Sequence, residues 1–168
     1  TAIVTVNEGI EANADSNSPL CIGNTLFLYA PDNADNYSWT GPNTYASNEQ
    51  NPIIENAQPV QSGDYILTII EDGCESVDTV AVVVSEELAV AIEGDILYCE
   101  TDSIELIVTG GTEFSWSGPI GVSGNEQSLI VPNVGLSHTG TYYVTVTNEA
   151  GCEAILEQEV SVRRRPTP

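Results

Sequence analysis

Apolar and polar residues alternate through most of the chain, and the alternating runs are short. Residues 25–30 read Thr-Leu-Phe-Leu-Tyr-Ala, 103–109 read Ser-Ile-Glu-Leu-Ile-Val-Thr, and 140–147 read Gly-Thr-Tyr-Tyr-Val-Thr-Val-Thr. A period of two with β-branched and aromatic residues between Gly, Pro and Asn marks half-buried strands. The pattern predicts strands at 10–14, 25–30, 37–40, 52–55, 63–70 and 76–84. A second set is predicted at 88–92, 103–109, 113–117, 128–131, 140–147 and 154–162. Short extra strands are expected near Tyr45 and Val122. No stretch carries helical periodicity, so the class is all-β. Around seven short strands per 80 residues, with a turn every 8–12, is the spacing of a β-sandwich.

The two sets of strands are copies of one another. Ser38-Trp39-Thr40-Gly41-Pro42 recurs as Ser115-Trp116-Ser117-Gly118-Pro119, and Asn48-Glu49-Gln50 as Asn125-Glu126-Gln127. Ser62-Gly63-Asp64-Tyr65 recurs as Thr139-Gly140-Thr141-Tyr142, and Gly73-Cys74-Glu75 as Gly151-Cys152-Glu153. The offset is 77 in the middle and 78 at both cysteines, so small loop insertions separate the copies. Self-similarity at this period reads as tandem domains, with repeat 1 at 7–84 and repeat 2 at 85–162. Thr1 to Val6 align with the last strand of each repeat and are expected to be the end of a preceding one. With no initiator Met and no signal-type segment, Thr1 is expected to open a fragment of a longer array. Residues 163–168 read as a linker or an added tail.

Charge narrows the partners. The 168 residues carry 25 acidic and 3 basic side chains, a net charge of -22, and the basic ones are Arg163, Arg164 and Arg165. Residues 1–162 therefore hold no Lys or Arg. Phosphate backbones are bound through such cations, so nucleic acid is excluded as a partner, as are polyanions and anionic lipid. No apolar run is long enough for membrane insertion. A protein or glycan on another surface, and flanking repeats of the same chain, remain as partners.

At Tyr65 and Tyr142 the sequence resembles strands E and F of immunoglobulin-like domains, where such a Tyr closes a tyrosine corner through its hydroxyl. Trp39 and Trp116 fall where the core Trp of strand C belongs, each 26 residues before its Tyr. The resemblance implies two tandem immunoglobulin-like β-sandwich domains. The sites of the usual strand B–strand F cystine are aliphatic here: Leu67 and Val144 on one side, Leu26/Leu28 and Ile104/Leu106 on the other. A Cys before strand B, Trp-x-Gly-Pro, Gly-x-Tyr and a closing Gly-Cys are similar to the Ig-like/PKD-like repeats of large secreted Bacteroidota surface proteins. Those are gliding-type adhesins and other type IX secreted cargo. The resemblance implies an extracellular, cell-surface, non-catalytic stalk or adhesion segment; the alternative is a carbohydrate-binding accessory module of a secreted hydrolase.

Four cysteines without metal-type spacing point to disulfides and an oxidising compartment. Cys21 and Cys74 are separated by 53 residues, as are Cys99 and Cys152. Equal spacing favours pairing within each repeat. Yet staples between neighbouring repeats would recur with the same period. In the immunoglobulin-like frame a Cys before strand B lies at the end opposite the F–G turn. That geometry would join Cys21 to Cys152 and leave Cys74 and Cys99 for flanking repeats. The intra-repeat pairing is kept as the expectation, since residues 22–25 could loop back before the strand starts.

Catalytic constellations do not assemble. His138 is the single His, Gln61 takes its place in repeat 1, and no nucleophile elbow occurs. No cofactor is required. Asp32, Asn33, Asp35 and Asn36 cluster the hard oxygen ligands that suit Ca²⁺, and the same residues are ordinary turn formers. Both readings stand. Trp39 and Trp116 could stack on sugars, but their repetition on a core strand favours packing. Thr79 and Ser103, each after Asp and before an aliphatic residue, resemble the O-glycosylation sites of exported Bacteroidota proteins.

Overall fold

The computed structural model describes residues 10–166; the strand expected over residues 1–6 lies outside them. The chain divides into two compact units, 1–86 and 87–168. Among the described residues there is no α-helix, and none therefore long and apolar enough to cross a membrane.

Unit 1 contains β1 (Asp15–Ser16), β2 (Leu20–Cys21), β3 (Leu26–Tyr29), β4 (Asn36–Gly41), β5 (Tyr45–Ser47), β6 (Ile53–Ile54), β7 (Gly63–Glu71), β8 (Cys74–Val82) and β9 (Val84–Ser85). One sheet has the order β1-β3-β6 and the other β5-β4-β7-β8. After a break at Val83, β9 continues the direction of β8 and pairs in parallel with β2, Cys21 opposite Ser85. Each strand turns its apolar set inward: Leu26 and Leu28 from β3 meet Trp39, Tyr65, Leu67 and Ile69 from the facing sheet, all fully buried. Burial of each such side chain contributes about 1.5–3 kcal/mol.

Unit 2 repeats the plan with β10 (Ala91–Glu93), β11 (Leu97–Cys99), β12 (Ile104–Thr109), β13 (Glu113–Ser117), β14 (Ser123–Gly124), β15 (Ser128–Val131), β16 (Gly140–Thr147) and β17 (Glu153–Arg163). Its sheets are β10-β12-β15 and β11-β17-β16-β13-β14. Ile104, Leu106, Val108, Trp116, Tyr142, Val144 and Val146 fill the core between them.

Two departures from the sequence pattern have physical causes. Residues 10–14 form no ladder. Instead the amides of Ile10, Ala12 and Ala14 donate to Glu71 Oε2, Ser76 Oγ and Asp78 Oδ2 at 2.9, 2.9 and 2.8 Å. Alternate amides of an extended segment are thus held by side chains rather than by a neighbouring backbone. In unit 2 the expected 88–92 strand is shorter and shifted, Ala91–Glu93 against β12.

Candidate functional site

The repeated motifs converge on one packing arrangement in each unit. Tyr65 Oη donates to the Gln61 carbonyl at 3.0 Å, and Tyr142 Oη to that of His138 at 3.0 Å. A β-carbon on Gly41 would stand 2.6 Å from Tyr65 Cδ1, and one on Gly118 2.7 Å from Tyr142 Cδ1. Gly63 and Gly140 face Pro42 and Pro119 as closely, at 2.9 and 2.8 Å. Trp-x-Gly-Pro and Gly-x-Tyr are therefore two halves of one interlock across β4 and β7, or β13 and β16. The sequence displayed these glycines and prolines by repetition; that they face the tyrosine and each other needs the strand pairing. Burial raises the ionisation point of both corner hydroxyls, with a smaller push from Tyr45 on Tyr65 and from Tyr98 on Tyr142. The indole N–H groups are satisfied too, Trp39 on the Gln50 carbonyl at 3.1 Å and Trp116 on that of Glu126 at 2.9 Å. With Trp39 fully buried and Trp116 2% exposed, neither presents a face to a sugar.

The cysteines overturn the expected pairing. Cys21 and Cys152 are disulfide-bonded, whereas Cys74 and Cys99 are free. Strand direction is the reason. In unit 1 Cys21 lies opposite Ser85 at the far end of β9, while Cys74 opens β8. The run from Cys74 to Ser85 spans about 35 Å at the rise of a strand. In unit 2 Cys99 pairs with Arg163 at the end of the 11-residue β17, and Cys152 precedes its start. A disulfide holds Cα atoms within about 7 Å, so neither Cys21–Cys74 nor Cys99–Cys152 can close. The two F–G turns also differ. Asp72 and Gly73, at φ 49° and 77°, make a tight two-residue turn that leaves Cys74 exposed. In unit 2 the amide of Asn148 bonds to the Cys152 carbonyl at 3.0 Å, and the three residues 149–151 between them replace the two of unit 1. Asn148 Oδ1 accepts from the amides of Ala150 and Cys152 at 3.0 and 2.9 Å, and Cys152 is 8% exposed.

The other sequence candidates sit in separate places. Asp32 Oδ1 accepts from Gln50 Nε2 at 2.8 Å, Asp35 Oδ2 accepts from the Asp72 amide at 2.9 Å, Asn33 occupies a left-handed turn position at φ 76°, and Asn36 opens β4. His138 Nδ1 accepts from the Gly135 amide at 3.1 Å. Thr79 on β8 and Ser103 before β12 are exposed. The terminal arginines belong to unit 2 rather than to a linker. Arg163 ends β17, Arg165 Nε donates to the Glu100 carbonyl at 3.0 Å, and its guanidinium pairs with Asp102.

No protein-family model matches the chain, and no curated relative does. Solved structures do. A titin I-band fragment, I67–I69, aligns with a TM-score of 0.55 at 13% identity, covering 93% of this chain and 67% of that one. A chain of the mouse coronavirus receptor-binding domain complexed with its murine receptor aligns at 0.56 and 12% identity, covering 90% and 100%. Both units are immunoglobulin-like. Three N-terminal domains of the bacteriophage RB49 outer capsid protein Hoc align over 90% of this chain at 0.49 and 17% identity, and this chain spans 58% of that fragment's length.

In immunoglobulin-like terms, strands A, B and E form one face of each unit and C′, C, F and G the other, with A′ added in parallel to G. The A′ strands, β2 and β11, escaped the sequence reading because two or three residues in parallel pairing leave no alternation to read. On the outward side of β3, Phe27 and Tyr29 flank buried Leu28. Their rings stand 6.4 Å apart with planes 10° from parallel, and they are 38% and 44% exposed beside exposed Ile53. A shallow groove of about 260 Å³ near the corner of unit 1 is lined by Pro42, Asn43, Tyr45, Asn56, Gln58 and Val60 among others. Burial raises the Tyr45 hydroxyl as well, an effect offset in part by its bond to Ser47 and reinforced by Glu49.

Proposed function

We propose that the chain is a non-catalytic extracellular structural and adhesion segment, a load-bearing piece of a repetitive bacterial surface protein. The observation that carries this is the bonded state of Cys21 and Cys152. On this reading they form one cystine between the repeats, tying the A′ end of the first to the F–G turn of the second. Tension entering at one terminus then crosses from Cys21 to Cys152 through the sulfurs. The strands between them, which include β3 to β9 and β10 to β16, lie outside the load path. By the chain-entropy model, a loop of roughly 130 residues also gains about 5 kcal/mol. A disulfide fits secretion to an oxidising compartment. The repeat motifs support the comparison with gliding-adhesin-type Bacteroidota proteins exported by the type IX route.

Cleavage after glutamate tests the pairing directly, since it isolates the four cysteines in separate peptides, 12–49, 72–75, 94–100 and 150–153. Under non-reducing conditions a linked 12–49/150–153 pair supports the reading. A 12–49/72–75 pair contradicts it.

A second reading, a carbohydrate-binding accessory module, is favoured by the parallel, exposed rings of Phe27 and Tyr29. One of the aligned structures is described as a viral receptor-binding domain complexed with its murine receptor, which supports a protein ligand instead. A glycan array separates them: selective binding lost in Phe27→Ala supports the module, and none supports the structural segment.

A further inference from the structure

We infer that Cys74 and Cys99 are complementary sockets for covalent head-to-tail linkage to further repeats of the same kind, with Cys99 of one copy joining Cys74 of the next. This rests on the cystine reading above. Cys99 is the repeat-2 equivalent of Cys21, and Cys74 the repeat-1 equivalent of Cys152. If the leading cysteine of one repeat bonds the F–G cysteine of the repeat that follows, the same operation applied again gives Cys99 an F–G cysteine and Cys74 a leading cysteine. One operation repeated without closing generates a linear array.

Three features fit that role. Both thiols are free, Cys74 exposed at its turn and Cys99 half-exposed. Within each unit the leading and F–G cysteines stand at opposite ends of strand G, so linkage through them is serial rather than looped back. The two sockets also differ in charge. Cys74 sits among Glu71, Asp72 and Glu75 with no cation near it in sequence. Cys99 shares its turn with Glu100 and Asp102, but it lies across from Arg163, and Arg165 is paired with Asp102, so three arginines stand against two carboxylates at that end. A Cys74–Cys74 contact would press two acidic turns together, whereas a Cys99–Cys74 contact sets the acidic turn against the arginines, which favours the heterotypic partner.

The bond forms by exchange with a small disulfide. The Cys99 thiolate attacks the S–S bond of the oxidant, releasing one thiol and leaving a mixed disulfide. The Cys74 thiolate of the next copy then attacks the Cys99 sulfur and expels the second thiol. Two protein thiols are oxidised and one disulfide is reduced to two thiols, so electrons and protons balance.

The test uses the 168-residue chain with oxidised glutathione as the probe. The expected result is a ladder of covalent oligomers on a non-reducing gel. In the glutamate-specific digest the linked 94–100/72–75 pair should stand well above the one-half share that random joining of two thiols gives. Cys74→Ser and Cys99→Ser variants alone should stop at dimers, and their equimolar mixture should give the heterodimer. A ladder built equally of homotypic pairs overturns the proposal, as does the absence of any ladder. If the 12–49/150–153 pair is missing from the same digest, the cystine reading itself has failed, and the inference with it. Its presence alongside homotypic pairs condemns the inference alone.

Discussion

Gly41 lies so close beneath the ring of Tyr65 that a β-carbon on it would stand 2.6 Å from Cδ1, and Gly118 repeats the relation with Tyr142 at 2.7 Å. The contact is inside the core, with both tyrosines fully buried, so the ring has nowhere to retreat. Gly41→Ala or Gly118→Ala is expected to cost about 1–3 kcal/mol, the range for overpacked cores. Denaturant midpoints measure it. Gly135→Ala is the control, since Gly135 has φ −122° and open space where a β-carbon would go. It should stay within about 0.5 kcal/mol of the parent. Equal effects at Gly41 and Gly135 would refute the interlock.

The corner hydrogen bonds give a second expectation. Tyr65→Phe and Tyr142→Phe leave the Gln61 or His138 carbonyl without its donor and should each cost about 1 kcal/mol. The pH dependence has a definite sign. Burial raises the folded-state ionisation point of both hydroxyls above the ordinary 10.0. Their contribution is therefore complete below pH 10 and is lost as pH rises through the folded value. Thermal melts from pH 8 to 12 should show that loss, and the double Phe variant should show less of it.

How much of this was legible in the sequence differs from element to element. Strands β13, β15 and β16 were readable to the residue, because Trp116, Leu129 and Tyr142 sit in clean alternation between turn residues. The aliphatic replacement of the strand B–strand F cystine was readable for the same reason. Residues 10–14 also alternate, yet their amides bond to Glu71, Ser76 and Asp78, and no one-dimensional pattern distinguishes a ladder from side-chain acceptors. The cystine was the largest misreading. A spacing of 53 is the same whether each bond closes a repeat or joins two, so periodicity cannot choose. Only the antiparallel run of strands F and G, which sends Cys21 and Cys74 to opposite ends, decides.

Acid should loosen the segments that these carboxylates hold. Asp78 accepts from the Ala14 amide, its largest stabilising contact, and then from Thr79; Asp102 accepts from the Cys99 amide and more weakly from Arg165. Both carboxyls are held below the ordinary 3.8. Their stabilisation is present above that value and disappears as pH falls through the lowered folded one. Hydrogen exchange of the Ala14 and Cys99 amides should be flat down to about pH 4 and speed up below it, relative to the intrinsic rate. Asp78→Asn and Asp102→Asn should remove that acid step.

Salt should help rather than harm. With a net charge of -22 and the Arg165–Asp102 pair exposed, repulsion outweighs attraction across the surface. Raising NaCl to 1 M shortens the screening length to about 3 Å, so Tm should rise or hold. A clear fall would point to attractive pairs that the charge balance does not contain.

Pulling a single molecule by its two ends tests the central claim most directly, with and without reductant. If one cystine joins Cys21 to Cys152, the oxidised chain should show no full unfolding event of either immunoglobulin-like unit. Reduction should then release the locked loop, roughly 130 residues or about 45 nm of extended chain, in two domain-sized steps. Two full unfolding events in the oxidised chain, unchanged by reductant, would contradict the account.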